Sequence, residues 1–349
     1  MASVLLSDIV DITVYRDLEP EIHPEITAFW ESGVVVGGDY FNQLAAADGR
    51  TAEMIFWRDL DPAVEPNYSD DSDDRATPGK TRQDDATAKK AHLNKGYSSK
   101  DLSRELQTGV DAMQFIRNRF SAYWTRNWQR RIINCTIGLF NANVAGNFDA
   151  NAAVAGVAGD MVLDISIEDG DNALAANLFS RTAFTQAAFT MGDHVDMIRA
   201  ILVHSVVYQR MVDSDDIDFI RDSQGTMLIP TYLGKRVIID DSCPKIAGST
   251  SGFRYISVMY GEAMFGYGEA DPTVPVEVWR DPQTGQGGGE EQIWERKTWL
   301  IHPLGWTNEN AVATANAGSQ SLADLQDESN WTRTHSRKNV PIAFLVTNG

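Results

Sequence analysis

Cysteine is scarce in this chain of 349 residues, which contains only Cys135 and Cys243. Two thiols are too few for a disulfide framework or for a cysteine-rich metal site. Both side chains are therefore predicted to be buried free thiols.

Long apolar runs and a secretory signal are also missing. No stretch of the sequence approaches the roughly 20 apolar residues of a membrane-spanning helix. Residues 1–15, MASVLLSDIVDITVY, have neither the basic n-region nor the continuous apolar h-region of a signal peptide. We therefore expect a protein that is made in a cytoplasm, stays there and has no membrane partner.

Basic residues are in short supply, since 30 Lys and Arg face 49 Asp and Glu and leave a formal net charge of -19. Phosphate binding depends mainly on Lys and Arg, so this balance argues against general nucleic-acid binding. It leaves local basic patches open.

Catalytic motifs are absent: there is no GxSxG, no phosphate loop, no GxGxxG opening a helix and no HExxH. His194 and His204 fall on one predicted helix, but about 80° apart around it, which does not suit a shared metal ion. DISIEDGDN, residues 164–172, resembles a calcium loop only superficially, because its glycine comes one place late and the bidentate glutamate is missing. The sequence predicts no catalytic residue, no cofactor and no metal site, although a site assembled only in space would leave equally little trace.

The most distinctive segment that is present is FIRNRFSAYWTRNWQRRIINCTIGLF, residues 115–140. Apolar residues at steps of three or four predict one long helix with a core-facing stripe. The stripe consists of Leu106, Val110, Met113, Phe120, Trp124, Trp128, Ile132, Cys135 and Leu139. Arg117 fills the one gap in it, either at the edge of the core or in a buried ion pair.

The opposite side of this helix is not simply polar. It carries Arg119, Arg126 and Arg130, and also Phe115, Ile133, Ile137 and Phe140. A helix that is apolar on both sides toward its C-terminus must be covered on both sides. A membrane-surface helix would be apolar on one side only, and a single-stranded nucleic-acid platform would expose its aromatic residues. The tryptophans lie on the core stripe, so burial is the better explanation.

A polar tract from Glu65 to Lys100 contains almost no large apolar side chain. Such composition is typical of a disordered loop. The alternative is an arm that becomes ordered only against a neighbouring molecule.

The other segments predict alternating helices and strands without a regular repeat. IHPEITAFWES and SRTAFTQAAFT predict short helices, and Asp193 is a good N-cap for a longer one with a core face of Val195, Ile198, Leu202, Val206 and Met211. Strands are predicted in TAEMIFWRDLD, MVLDISI, TMLIPTYLGKRVIIDD and FRYISVMYGEAMFGYG, and a long hairpin in VPVEVWRD with EQIWERKTWLIHP. The fold class is therefore mixed α/β or α+β.

In the order of its sequence segments, the chain resembles the major capsid proteins of tailed bacteriophages, the Hong Kong 97 fold family. AFWESGVVV and IFWRDLD are similar to the family's N-terminal arm and to the entry of its extended loop, although IFW stands where a proline is usual. LQTGVDAMQFIRNRFSAYWTRNWQRRI is similar to its long spine helix. MGDHVDMIRAILVHSVVY, IPTYLGKRVIIDD, WERKTWLIHPLGWT and NWTRTHSRKNVPIAFLVTN follow in matching order, so that the resemblance covers nearly the whole chain.

This resemblance implies a mixed α+β capsid fold with six approximate parts. These are an N-terminal arm (1–50), an extended β-hairpin loop (51–100), the spine helix of a peripheral domain (101–150), an axial domain (151–265), a long β-hairpin of the peripheral domain (266–305) and a C-terminal return to the axial domain (306–349).

The resemblance also implies a structural protein of the virion rather than an enzyme. Copies would form hexamers and pentamers that close into an icosahedral head around double-stranded DNA, without sequence-specific DNA binding, after assembly in the host cytoplasm. Portal and decoration proteins are further candidate partners, and the start at Met1 leads us to expect a separate scaffolding protein or none. The competing hypothesis is a soluble cytoplasmic α/β enzyme whose site is assembled only in space.

Charged side chains are the candidate contacts between copies. Arginine pairs with carboxylates in a planar, bidentate geometry that fixes orientation. The candidates are Arg119, Arg126 and Arg130 on the helix and Asp70, Asp71, Asp73 and Asp74 in the polar tract.

Overall fold

The computed structural model describes residue 29 and residues 32–60, 64–71, 73–106, 112–149, 156–214, 216–221, 228–309 and 319–349. Except for Phe29 and Ser32, the helix predicted in IHPEITAFWES lies outside these residues, as does Val110 of the predicted stripe.

Two large β-sheets and one long helix dominate the described part of the chain. The helices are α1 (Asp39–Ala46), α2 (Asp101–Leu106), α3 (Ala112–Ala145), α4 (Arg181–Ala188), α5 (Ser205–Asp213) and α6 (Leu322–Gln326). The strands are β1 (Val35–Gly37), β2 (Thr51–Trp57), β3 (Gln83–Lys100), β4 (Val162–Asp164), β5 (Ile198–Val203), β6 (Ile217–Arg221), β7 (Leu228–Tyr232), β8 (Lys235–Ile239), β9 (Lys245–Ala247), β10 (Phe253–Gly261), β11 (Phe265–Ala270), β12 (Val276–Asp281), β13 (Glu290–Pro303), β14 (Trp306–Asn308), β15 (Trp331–Arg333) and β16 (Ile342–Thr347).

The six-stranded sheet has the order β1-β11-β13-β3-β2, with β12 also paired to β13. The eight-stranded sheet has the order β4-β16-β10-β5-β8-β7-β6, with β9 paired to β10, while β14 and β15 pair separately. Both large sheets contain parallel and antiparallel pairs. The predicted mixed α+β class is therefore confirmed, as is the long hairpin, whose strands are β12 and β13.

Helix α3 connects the two sheets. Its first half packs on the six-stranded sheet, where Trp124 meets Trp299 and Trp128 meets Tyr267 in edge-on ring contacts. Its second half packs on the eight-stranded sheet, where Phe140 meets Phe344. Seven residues of the predicted stripe are buried, namely Met113, Phe120, Trp124, Trp128, Ile132, Cys135 and Leu139. The predicted cover on the second side is also present, since Ile133 and Phe140 are buried as well.

The helix predicted from Asp193 to Met211 is wrong. Residues Phe189–Met197 form 3-10 turns, Ile198–Val203 is strand β5, and a helix begins only at Ser205, after the N-cap His204. Strand β5 lies between β10 and β8 in the sheet, and five of its six residues are buried. A central strand covered on both faces is continuously apolar and cannot be distinguished from a buried helix by periodicity alone.

The polar tract is also not a disordered loop along its whole length. Residues Gln83–Lys100 form the 18-residue strand β3, which pairs with β2 on one side and β13 on the other. The buried apolar side chains of β3 include the small residues Ala86, Ala88 and Ala91. This explains why the tract contains so few large apolar residues. Lys90 is 1% exposed, and its ammonium donates to Ala47 O at the C-cap of α1, where a cation complements the helix dipole.

We expect trypsin to cut the unassembled chain at Arg75, Lys80 and Arg82 and to spare Lys89 and Lys90. Described residues from 64 to 82 are exposed and lack regular structure, whereas β3 is locked between two strands. Proteases act on exposed loop tips in preference to paired strands. Peptide mapping of a brief digest checks this. Early cleavage within β3 would show that the strand pairing does not persist in solution.

Candidate protein-interaction surface

The first half of α3 is bordered by a groove on its side toward β11 and β13. This groove, called the sheet groove below, has a volume of about 540 Å³. It is lined by the aromatic residues Trp124, Trp128 and Tyr267 and by the charged residues Glu269, Glu295 and Lys297, among others. Such a combination of aromatic walls and convergent polar groups is typical of binding surfaces.

The charged groups of the sheet groove are engaged within the chain. Lys297 Nζ lies 2.7 Å from Glu269 Oε1, and the Tyr267 hydroxyl donates to Glu269 Oε2 at 3.0 Å. Burial alone would raise the pKa of Glu269, but these two hydrogen bonds to the carboxylate outweigh it and lower that pKa. Trp124 Nε1 donates to Glu295 Oε2 at 2.7 Å. Glu269, Glu295 and Lys297 of the sheet groove are therefore already engaged in contacts within the chain.

A second groove borders α3 on the other side and is called the arginine groove below. It has a volume of about 240 Å³ and is lined by Tyr97, Phe115, Ile116, Arg119, Phe120, Tyr123 and Arg126. Arg119 and Arg126 are half-buried. Among the described residues neither forms an ion pair with a carboxylate. Two predicted contact residues thus lie together at an aromatic cleft with unused charge.

The remaining predicted contact residues are also at the surface. Arg130 is exposed one turn beyond Arg126, and Asp70, Asp71, Asp73 and Asp74 are exposed on the connection between β2 and β3. These residues stay candidates for contacts between copies.

Arg117 forms an ion pair, but not a buried one. Its guanidinium lies 2.7 Å from Glu291 Oε1, and Arg104 of α2 approaches the other oxygen of the same carboxylate at 3.3 Å. Arg117 is 51% exposed and Arg104 46% exposed. Surface pairs of this kind contribute about 0–1 kcal/mol, so their role is to orient α2 and α3 rather than to stabilise the core.

The β2–β3 hairpin exposes large apolar side chains. Their exposed fractions are 65% for Ile55, 65% for Trp57, 74% for Leu60, 71% for Val64 and 77% for Tyr68. Isolated apolar side chains are normal on a surface, but several strongly exposed ones on one short segment point to an interaction site. This hairpin therefore carries a surface that another molecule is expected to cover.

The other face of the hairpin is docked on the chain through Arg58, which sequence reasoning missed. Arg58 Nη2 lies 2.7 Å from Asp84 and 3.3 Å from Asp149, and Arg58 Nη1 donates to the carbonyl oxygen of Thr334. The adjacent Phe56 ring lies 4.6 Å from that of His335. Only the aromatic-basic composition of IFWRDLD hints at this contact.

Helix α5 begins at a group of residues that superficially resembles a catalytic arrangement. His204 Nδ1 accepts from the Val206 amide at 3.3 Å, and the same nitrogen is 3.4 Å from Ser205 Oγ and 3.8 Å from Asp241 Oδ1. A catalytic relay requires the two ring nitrogens to contact different partners. This geometry is that of a helix N-cap. His194 and His204 do not share a helix, contrary to the prediction, because His194 lies in the 3-10 turns before β5.

Neither a metal site nor a membrane-spanning helix is found among the described residues. In the described ranges, no three His, Cys, Asp or Glu side chains are grouped so as to hold a metal ion. None of the described helices combines the length and the apolar character needed to cross a membrane. Cys135 and Cys243 are buried free thiols, as predicted.

Comparisons with known proteins agree with the resemblance seen in the sequence. No protein-family model matches the chain. The major capsid protein of Bacillus phage SPP1 is 31% identical over 345 residues, covering 98% of this chain and 97% of that protein.

Solved structures show the same fold at low identity. The capsid of Ralstonia phage GP4 matches with a TM-score of 0.53 and 9% identity over 97% of this chain and 96% of that one. The capsid of cyanophage Pam1 matches with a TM-score of 0.52 and 10% identity over 98% and 100%. On its similarity to a capsid protein over 98% of its length, the chain belongs to the major capsid proteins of tailed bacteriophages, the structural proteins that form the shell of the virion.

Proposed function

We propose that this chain assembles into hexamers and pentamers through its β2–β3 hairpin, which docks on the arginine groove of a neighbouring copy. The observation that carries this proposal is the group of five apolar side chains on the hairpin, each at least 65% exposed in the single chain. Covering them removes apolar area from water, and each fully buried side chain of this size contributes about 1.5–3 kcal/mol.

Charge supports the choice of groove. The connection between β2 and β3 carries four acidic residues, Asp70, Asp71, Asp73 and Asp74. In the arginine groove, Arg119 and Arg126 have no carboxylate partner among the described residues. Attraction between the two surfaces would steer encounter and fix register more than it would add affinity. Tyr68, next to the acidic residues, fits a cleft already lined by Tyr97, Phe115 and Tyr123.

The two surfaces lie on different parts of the chain, which makes the contact heterologous. A head-to-tail contact between identical subunits closes into a ring when the rotation per subunit permits. The same contact could thus serve hexamers and pentamers. We place the arm, hairpin loop, spine helix and axial parts at the boundaries expected from the family resemblance.

The shell we propose would enclose double-stranded DNA without specific binding. A net charge of -19 suits a container that must release its contents. Scaffolding, portal and decoration proteins are the expected further partners, and the role is structural rather than catalytic. Neither a nucleotide nor a metal ion is needed for assembly in this proposal.

We expect Arg126→Glu and Arg119→Glu to slow or misdirect assembly while leaving the melting temperature of the unassembled subunit within about 2 °C, because the two side chains make no internal ion pair. Assembly is followed by light scattering and negative-stain microscopy, with a chelator present throughout.

The matched control is Arg199→Glu, which reverses an exposed arginine on β5, in the eight-stranded sheet, that pairs with Glu262 in the turn after β10. It should assemble like the wild type. Restoration of Arg126→Glu assembly by Asp→Lys changes at residues 70, 71, 73 and 74 would identify the partner. Normal assembly of both groove variants would exclude the arginine groove. A wild-type chain that stays a monomer even with a scaffolding protein present would exclude self-assembly.

A further inference from the structure

Two histidines lie where the β2–β3 hairpin meets the C-terminal part of the chain. His335 packs against Phe56 of β2 with ring centroids 4.6 Å apart, and Arg58 lies over the same Phe56 ring at 5.2 Å. The neighbouring Thr334 accepts from Arg58 through its carbonyl oxygen and is 3.0 Å from His335 Nδ1 through its hydroxyl.

The second histidine, His302 on β13, is 6% exposed, and its Nδ1 has no hydrogen-bond partner among the described residues. The Gly305 turn brings it near His335, because the amides of Thr334 and His335 both donate to Gly305 O, at 2.9 and 3.3 Å. Gly305 adopts φ 81° and leaves only 3.2 Å between an added Cβ and His335 Cβ. The Gly305 turn thus places the two histidines close enough to interact electrostatically.

Charged groups lie on the elements next to this site. The hairpin contributes Arg58 and Asp84, the segment after α3 contributes Asp149, and β15 contributes Arg333. Both acidic groups are already paired with Arg58. A proton on His335 would meet repulsion from Arg58 that exceeds the attraction of Asp84. A second proton on His302 would meet repulsion from the imidazolium of His335.

We propose that His302 and His335 form an acid-sensitive latch: while both are neutral they hold the end of the β2–β3 hairpin on the C-terminal segment, and their protonation releases the hairpin before the sheets unfold. The released surface would be the docked face of the β2–β3 hairpin. The exposed face of the same hairpin is the one that we assign to subunit contacts. The latch itself is a property of the single chain and does not depend on that assignment.

The direction of the pH effect follows from the environment of each ring. Burial and, to a smaller extent, the neighbouring His335 together lower the pKa of His302 to about 4, while a hydrogen bond to the Trp306 backbone opposes the shift. Burial also lowers the pKa of His335, as does Arg58, while Asp84 opposes the shift. A released hairpin returns the histidines toward their ordinary pKa of 6.5, so the released state binds more protons. Docking is therefore strongest above pH 6.5 and weakens as pH falls toward about 4.

Hydrogen exchange of the full-length, unassembled chain tests the latch. Exchange is followed by mass spectrometry from about pH 7 to about pH 4, corrected for the intrinsic pH dependence, in peptides covering β2 and the first half of β3. The protection factor there should fall by up to about tenfold per pH unit for each histidine that titrates. Peptides covering β10, in the centre of the other sheet, should keep their protection.

Three variants make the test specific. His335→Phe keeps an aromatic ring against Phe56 but cannot be charged. The protection factor of the hairpin peptides should therefore depend on pH with about one proton fewer than in the wild type. His302→Gln should act in the same direction, and His92→Gln, at an exposed position on β3, should leave the slope unchanged. An unchanged slope in His335→Phe, loss of β10 protection in parallel, or release confined to pH values below 3.8, where Asp84 titrates, would each overturn the latch.

Discussion

Gly138→Ala should destabilise the subunit by about 3 kcal/mol, although alanine is the better helix former by about 1 kcal/mol. An added Cβ at Gly138 would lie 2.0 Å from the carbonyl oxygen of Leu325 and 2.7 Å from Trp331 Nε1. These two atoms are hydrogen-bonded to each other at 3.0 Å, directly over the α3 backbone. Because the obstacle is backbone and a buried indole, α6 must move away from α3.

Urea unfolding of the unassembled subunit measures this effect, with soluble yield as a second readout. Gly79→Ala is the matched control, since an added Cβ there meets nothing within 4 Å and the backbone is not left-handed. It should change stability by less than about 0.5 kcal/mol. A Gly138→Ala protein as stable as the control would mean that α6 does not pack on α3 in solution.

Asp160→Asn should cost about 3–5 kcal/mol because it leaves a buried guanidinium without its counter-ion. Arg333 is 0% exposed and donates to both oxygens of Asp160, at 2.7 and 2.9 Å. Its guanidinium also lies 4.4 Å from the Phe148 ring. Arginine cannot lose its proton at accessible pH, so the unpaired charge persists in the variant.

The reverse substitution, Arg333→Met, should cost less. Asp160 is 18% exposed and keeps a hydrogen bond from Asn143 at 2.8 Å, so water and Asn143 can still satisfy its carboxylate. The double variant should be no less stable than Asp160→Asn alone, because it removes both charges together. Equal losses in the two single variants, or additive losses in the double, would contradict this explanation.

The Arg333–Asp160 pair also makes the free energy of unfolding depend on pH. Here the cause is a set of hydrogen bonds to an ionised carboxylate, whereas for the histidines it is burial of a neutral ring. Burial alone would raise the pKa of Asp160, but hydrogen bonds from Arg333 and Asn143 outweigh it and lower that pKa below 3.8. The stabilisation is thus complete above the unfolded value of 3.8 and is lost as pH falls through the lower folded value. In Asp160→Asn the unfolding free energy should lose this part of its acid dependence and keep the part above pH 3.8.

The sequence by itself determined the parts of this protein that depend on neighbouring residues. The stripe from Met113 to Leu139 was predicted correctly, because each of its residues repeats within one helical turn of the next. The β12–β13 hairpin was predicted because its two strand segments flank a glycine-rich turn in the sequence. The order of the sequence segments was sufficient to indicate the fold family. Arg119 and Arg126 were likewise placed together from helical spacing alone.

Tertiary structure decided what depends on contacts between distant residues. Strand β5 was predicted as helix because it is apolar on both faces. Its position between β8 and β10, which explains this burial, is visible only in the folded structure. Strand β3 was missed because its contacts with α1 are made by the small Ala88 and the charged Lys90, which sequence patterns do not assign to a core. Arg58 bonds to a residue 276 positions away, and Arg333 to one 173 positions away. A single sequence with 49 carboxylates offers no rule for choosing Asp160 as the partner of Arg333, because that choice is made by the folded backbone that brings the two together.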